Sequence, residues 1–264
     1  MTTNPSINNM NSENGQVVVG DVPVIDGRVV IYIIKADETS YINYIKPLIL
    51  ARELKVPHVL SLIDTTSQWA YQIHPERMVP ALKDADPETD ERINVFEGTA
   101  CLQYLADRFD VHGEWSGRTA AERGAVFTWV AYQTAGIGAT AKYWLYFLRG
   151  YPTRKNSVQL PRTIAKLHEN TIKQWDILNQ QLGKDGQHYV ALADRPTIAD
   201  LSYFPFAMPW MFNFLGVNIK DWPHIEAWAE RLLARPAIQE IMAQAKTFGH
   251  NMTPEELSTL KQAA

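Results

Sequence analysis

The sequence predicts an α/β domain followed by an all-α domain, and three observations carry that prediction. Two β-branched runs, Val29–Ile34 and His58–Ile63, flank a stretch with helical spacing of apolar residues. Strand, helix, strand in that order implies a right-handed parallel crossover. Beyond the linker Val111-His112-Gly113-Glu114-Trp115-Ser116-Gly117 only helical periodicity continues.

The elements follow in order. The first nineteen residues are rich in Asn, Ser and Gly and read as a mobile tail, with the domain starting near residue 27. Ile45, Leu48, Ile49 and Leu54 set a helix in which Pro47 is expected to kink the helix or delay its start. The second strand follows the break at Pro57. Ala81–Lys83 and Ile93–Val95 make a hairpin around Asp86-Pro87-Glu88-Thr89-Asp90, and a helix from Glu97 to Asp107 closes the domain. Helical runs then fall at about Thr119–Thr134, Tyr143–Arg149, Leu160–Leu182, Ile198–Phe214 and Pro223–Ala234. The expected division is a tail at 1–26, an α/β domain at 27–112, a helical domain at 118–250 and a C-terminal tail at 251–264.

Composition narrows the class. Apolar residues make up 46% and charged residues 20% of 264, enough for a sizeable core. A net charge of −4 gives no support for nucleic-acid binding. The single cysteine, Cys101, excludes an intrachain disulfide and suits a reducing, cytoplasmic setting. Its place in an apolar helical stretch marks a small core residue rather than a nucleophile. No secretory leader and no apolar run of about 20 residues is visible, so no membrane partner is expected. The seven histidines lack metal-ligand spacing, and there is no Gly-rich phosphate loop.

Two segments carry the chemistry. Met78-Val79-Pro80-Ala81-Leu82 places an X-Pro bond, suited to cis, between a polar stretch and a strand. Such a turn points the Val79 N–H and C=O outward, where an extended peptide can pair with them. Phe96-Glu97-Gly98-Thr99-Ala100-Cys101-Leu102 reads as a helix start whose N–H groups attract a carboxylate, while Glu97 can accept from an ammonium. A ligand with amine and carboxylate on one carbon, as in a γ-glutamyl group, fits the pair. The same residues also read as a plain strand turn before a capped helix. Farther on, Thr197-Ile198-Ala199-Asp200 is a capping box opening an apolar helix.

With these three motifs in this order, residues 27 to 248 resemble the soluble glutathione transferases. The resemblance implies the GST fold, a thioredoxin-like domain followed by a helical bundle. Lys46-Pro47-Leu48-Ile49-Leu50, Ala141-Lys142-Tyr143-Trp144-Leu145-Tyr146-Phe147, Pro161-Arg162-Thr163-Ile164-Ala165-Lys166-Leu167 and Thr247-Phe248-Gly249-His250 are similar to fungal transferases of gliotoxin-type (epipolythiodioxopiperazine) biosynthesis. Those enzymes join glutathione to an oxidised diketopiperazine. What the resemblance implies is therefore C–S bond formation in a mycotoxin pathway, with glutathione as co-substrate, a small electrophile as partner, no cofactor, no metal and a homodimer. General detoxification, or glutathione-dependent regulation with little activity, stand as alternatives. Gly98 departs from the serine that most transferases carry there, and Thr99 is the nearest hydroxyl.

In this fold the thiol lies where the first strand gives way to the first helix, here Lys35 to Asn43. Ser40 is the candidate donor to the thiolate, or only a helix cap; Asn43 is a candidate thiol or substrate contact. Tyr32 sits mid-strand and reads as core. Lys142 is the candidate acid toward a departing hydroxyl, or a surface lysine. Arg77 and Met78 precede the Val79-Pro80 turn, and Arg77 suits the glycyl carboxylate. With Glu97, Gly98 and Thr99 these residues make the expected glutathione site. Tyr143, Trp144 and Tyr146 are candidates to line an acceptor pocket, with ordinary core packing as the alternative for each. His74 reads as a loop histidine with a possible glutathione contact.

Overall fold

The structure is a computed structural model and describes residues 15–22, 27–37, 40–153, 155–250 and 253. Of the two expected tails, all but residues 15–22 and 253 lie outside the described residues, as do Glu38 and Thr39 of the strand–helix loop. The chain divides into two compact units, one drawn from Met1–Cys101 and Gln244–Ala264, the other from Leu102–Ala243.

The first unit runs β1 (Val17–Val19), β2 (Val29–Ile33), α1 (Tyr41–Glu53), β3 (His58–Leu62), β4 (Ala81–Ala85), β5 (Arg92–Phe96) and the start of α2 (Gly98–Phe109). The sheet order is β1-β3-β2-β4-β5. β2 and β3 are parallel, Val29 opposite His58, with α1 as the expected crossover. β4 runs antiparallel to both β2 and β5. Every residue of β2 and β3 is buried, as for central strands covered on both faces. Val30, Tyr32, Val59, Ile63, Ile73 and Ala81 form one continuous apolar cluster.

Two local features differ from expectation. Val17–Val19, expected within the tail, forms β1, with Val17 opposite Leu60. Three β-branched residues fit the edge that β3 would otherwise leave open. Asp21, two residues on, accepts from the Tyr32 hydroxyl and the buried Lys83 ammonium, which ties the added strand down. That bond also explains Tyr32 as a core residue: burial and Asp21 both push its phenol up. Second, α1 begins at Tyr41, so Pro47 lies inside it and does not delay its start. Pro47 lacks the N–H that would meet the Asn43 carbonyl; full burial of Ile45, Leu48 and Ile49 offsets that loss.

The hairpin turn forms as expected, with the Asp86 carboxylate accepting from the Glu88 and Thr89 N–H groups, each at 2.9 Å.

The second unit is helical: α3 (Ala120–Gln133) passes through a π-helical turn at Thr134–Gly138 into α4 (Ala139–Arg149), followed by α5 (Pro161–Leu182), α6 (Ile198–Tyr203), α7 (Pro209–Phe214) and α8 (Pro223–Leu233). Then comes α9 (Pro236–Ala245), which the periodicity did not anticipate. Two-residue strands β6 (Pro152–Thr153) and β7 (Asn156–Ser157) make a small hairpin between α4 and α5, an exception to the all-helical expectation. The expected run Ile198–Phe214 is broken because Pro205 and Pro209 cannot donate to a helical ladder. Trp175 stacks on Phe212 at 4.0 Å between ring centroids, with Trp222 tilted against both. The capping box is present, Thr197 N–H donating to Asp200 at 2.8 Å. Among the described residues no helix is long and apolar enough to cross a membrane.

Candidate functional site

Strand register brings the two sequence segments together. Ala81 opens β4, Phe96 ends β5, and the two are paired across the hairpin. The residues just outside that pair, Val79-Pro80 on one side and Glu97-Gly98 on the other, are therefore neighbours. A Cβ built on Gly98 would stand 3.6 Å from Pro80 Cγ. Val79-Pro80 is cis. Among the described residues neither the N–H nor the C=O of Val79 makes a backbone hydrogen bond, so both are open to a partner strand.

The start of α2 concentrates charge. Glu97 caps the helix through its carbonyl, which accepts from Cys101 N–H at 2.9 Å, and its own φ is +74°. Left-handed backbone at a non-glycine residue costs about 1 to 2 kcal/mol, and here it turns the carboxylate outward, with a side chain 63% exposed. The Gly98 N–H, the first of α2, has no carbonyl one turn back to meet.

His74 stands behind Glu97. Its Nδ1 accepts from Glu76 N–H at 2.9 Å. A neutral imidazole that accepts at Nδ1 carries its proton on Nε2, and Nε2 lies 3.7 Å from a Glu97 oxygen. The ring is buried and tilted against Phe96 at 5.0 Å. His74 is thus fixed in the orientation and tautomer that place an N–H toward the carboxylate.

Lys46 approaches from α1. It is buried, and a Cβ on Gly98 would come within 3.1 Å of both its Cε and Nζ. Burial pulls its ammonium down to about 8, while Cys101 and Glu97 hold it up. The glycine at position 98 therefore has a physical reason: a serine there would compete with this side chain for space. Cys101 is buried with its thiol pushed up by burial, and it is a core residue as expected.

At the amino end of α1, Ser40 holds the N-cap position without a side-chain bond into the helix. Asp37 Oδ1 accepts from Ser40 N–H at 2.6 Å, and Ser40 Oγ accepts from Asp37 N–H at 2.8 Å. This reciprocal pair ties Asp37 to the residue that opens α1. Asn43 is exposed on the first turn. Arg77, with φ +54°, donates to the Thr66 carbonyl at 3.0 Å and lies 4.8 Å over the Tyr71 ring. Met78 is exposed.

In the second unit, Lys142, Tyr143 and Tyr146 are exposed on α4. Trp144 takes the core alternative, buried 5.6 Å from Phe214 and 5.7 Å from His168. Its place one residue after Tyr143 turns it about 100° around the helix, onto the core face.

The structure thus groups Val79, Pro80, Glu97 and Gly98 as the sequence indicated, sets His74 beside Glu97, and adds Lys46. Lys46 left a trace, a lone charge inside the apolar run Ile45 to Leu50. His74, read from the sequence as a loop histidine or a glutathione contact, stands beside Glu97.

Residues 161–231 match the family model for the glutathione S-transferase C-terminal domain. Over 225 residues the chain is 69% identical to glutathione S-transferase aclG of Aspergillus oryzae, covering 85% of this chain and 99% of that protein. It is 60% identical over 215 residues to the trimodular acetylaranotin synthesis protein ataIMG of Aspergillus terreus, covering 81% of this chain and 21% of that protein. Glutathione S-transferase sirG of Leptosphaeria maculans is 41% identical over 226 residues, with 85% of this chain and 94% of that protein covered. Among solved structures, glutathione transferase URE2P8 from Phanerochaete chrysosporium, with oxidized glutathione, matches with a TM-score of 0.72 at 20% identity, over 87% of this chain and 100% of that one. That last likeness concerns the fold alone.

Proposed function

The chain belongs to the glutathione S-transferase family, and on that premise we propose that it adds the glutathione thiolate to an electrophilic carbon of an oxidised diketopiperazine-type intermediate. The product is a C–S bond in a fungal secondary metabolite. The observation that carries this reading is the 60% identity to a protein named for acetylaranotin synthesis, together with 69% identity to aclG along nearly its whole length.

The site suits a γ-glutamyl tripeptide. The amine faces the Glu97 carboxylate, the α-carboxylate faces the first N–H groups of α2 at Gly98 and Thr99, and the peptide pairs with the open Val79 backbone. Arg77 and Met78 flank the glycyl end. From Ser40 to Lys46 the helix rises about 9 Å at 1.5 Å per residue. An extended tripeptide covers about 10 Å, a length comparable to that rise.

A free thiol titrates near 8.5, so at neutral pH only a few per cent is thiolate. The Ser40 hydroxyl, the Asn43 amide and the amino end of α1 are the groups that stabilise the anion. The hydroxylated substrate loses hydroxide to give an electron-poor acyliminium carbon, the thiolate sulfur forms its bond there and cancels that charge, and the thiol proton leaves with the hydroxide as water. Lys142 enters as the candidate acid on the strength of the sequence resemblance, and Tyr143 and Tyr146 as candidate acceptor contacts on the same ground. A cytoplasmic homodimer belongs to the same reading.

Incubating the protein with glutathione and a hydroxylated cyclic dipeptide, and following the adduct by mass spectrometry, tests the reaction. The mono- or bis-glutathionyl product is expected. Ser40→Ala, Asn43→Ala and Lys142→Ala should each slow it by about tenfold or more. Conjugation of generic electrophiles with none of the cyclic dipeptide would replace this reading with detoxification.

A further inference from the structure

The last described stretch of the chain returns to the loop before α1. Ala36 N–H donates to the Phe248 carbonyl at 2.9 Å. His250 Nε2 lies 2.7 Å from the Ala36 carbonyl. A carbonyl only accepts, so Nε2 carries the hydrogen. Both backbone polar groups of Ala36 are therefore held by residues more than 200 positions later in the chain.

The contact is close as well as polar. Phe248 is buried, and its ring stands 6.2 Å from that of Tyr44 on α1. Gly249, at φ +79°, lets the two backbones meet: a Cβ there would stand 3.2 Å from Lys35 Cα and 3.1 Å from the Leu62 methyls. Ala36 immediately precedes Asp37, which exchanges two hydrogen bonds with Ser40 at the start of α1. Ala36, held at both of its polar groups, has little freedom to drift, and Asp37, bonded in both directions to Ser40, inherits that position.

We propose that Phe248–His250 is a clasp on the thiol-facing loop, and that His250 is a positioning residue which sets the place of Ser40 and Asn43 through Ala36. This rests on the reading of Ser40 and Asn43 as the groups that meet the glutathione sulfur. The chemistry is indirect: His250 touches backbone, and its effect is felt in how well the donors face the sulfur. An error of about 1 Å in such a donor is enough to cost about a hundredfold in rate.

The test uses the full chain and reads the ultraviolet absorbance of the bound thiolate against pH, with kcat and KM for glutathione. His250→Ala is expected to raise the titration midpoint of the bound thiol by about one pH unit, which is about tenfold less thiolate below that midpoint. The KM for glutathione should stay within about twofold, since the Val79 and Glu97 contacts are untouched. His250→Gln keeps an N–H donor and should restore most of the wild-type titration. His250→Glu offers no donor at neutral pH and should track His250→Ala. A wild-type titration in His250→Ala overturns the clasp. So does a Gln variant as impaired as the Ala and Glu variants, even if all three melt early. Ser40→Ala and Asn43→Ala separate the two ideas. If they shift the titration and His250→Ala does not, only the clasp falls; if neither shifts it, the thiol-site reading falls too.

Discussion

Asp200→Ala removes the acceptor at the centre of a buried network. The carboxylate accepts from Val190 N–H, Thr197 N–H and Trp228 Nε1–H, each at 2.8 Å, and from the Thr197 hydroxyl at 3.2 Å. Asp200 is fully buried. At neutral pH it is ionised: burial pushes it up to about 6, while the four hydrogen bonds pull the other way. Alanine leaves three N–H groups without a partner, since only the hydroxyl can turn elsewhere. Each stranded donor costs about 1 to 3 kcal/mol. Removing a buried charge returns part of its desolvation cost, so the lower part of that range applies, about 3 to 5 kcal/mol in all. At about 2 to 4 °C per kcal/mol for a chain of this size, the thermal midpoint falls by about 6 to 20 °C. Urea unfolding at pH 7, followed by circular dichroism, should show the midpoint move with the slope unchanged. Asp200→Asn should fare little better, because its amide would set a donor against donors. A loss below about 1 kcal/mol in the alanine variant, well under that of one stranded donor, would refute the network account.

Two further outcomes follow from groups beside the α2 start. The Lys46 ammonium, lowered by burial from 10.5 to about 8, is bound less tightly in the folded chain than in the unfolded one. Its contribution to stability is present above the unfolded value and lost as pH falls through about 8. The wild type should therefore gain on Lys46→Met as melts are taken from pH 7 to 10; a gap constant with pH would show that Lys46 titrates normally. Cys101, buried with its thiol pushed up, should resist a disulfide-forming reagent in the native protein at pH 8 and react fully in denaturant. Cys101→Ala should keep transferase activity within about twofold while losing some stability. Rapid native labelling would contradict the core assignment.

Much was legible in the sequence because its causes are local. The β-branched runs gave β2 and β3, the Asp-rich turn gave the hairpin, and Thr197 with Asp200 gave the start of α6. Position 79–80 and position 97–98 could be matched to a ligand head because proline and a helix start each restrict their own backbone. Where expectation and structure part, the cause is a partner distant in sequence. Val17–Val19 becomes a strand because β3 has an edge to offer. Trp144 goes inward because Phe214 and His168 are there to receive it.

Residue order by itself determined the fold class, the two motifs and the family they resemble, since each depends on spacing and on the conformational limits of a few residue types. The tertiary structure alone decided that Lys46 fills the space beside Gly98, that His74 presents its Nε2–H to Glu97, and that His250 holds Ala36. Those pairings join residues 23 to 214 positions apart. No local propensity encodes them, because a buried polar group takes whichever partner the packed backbone brings within reach.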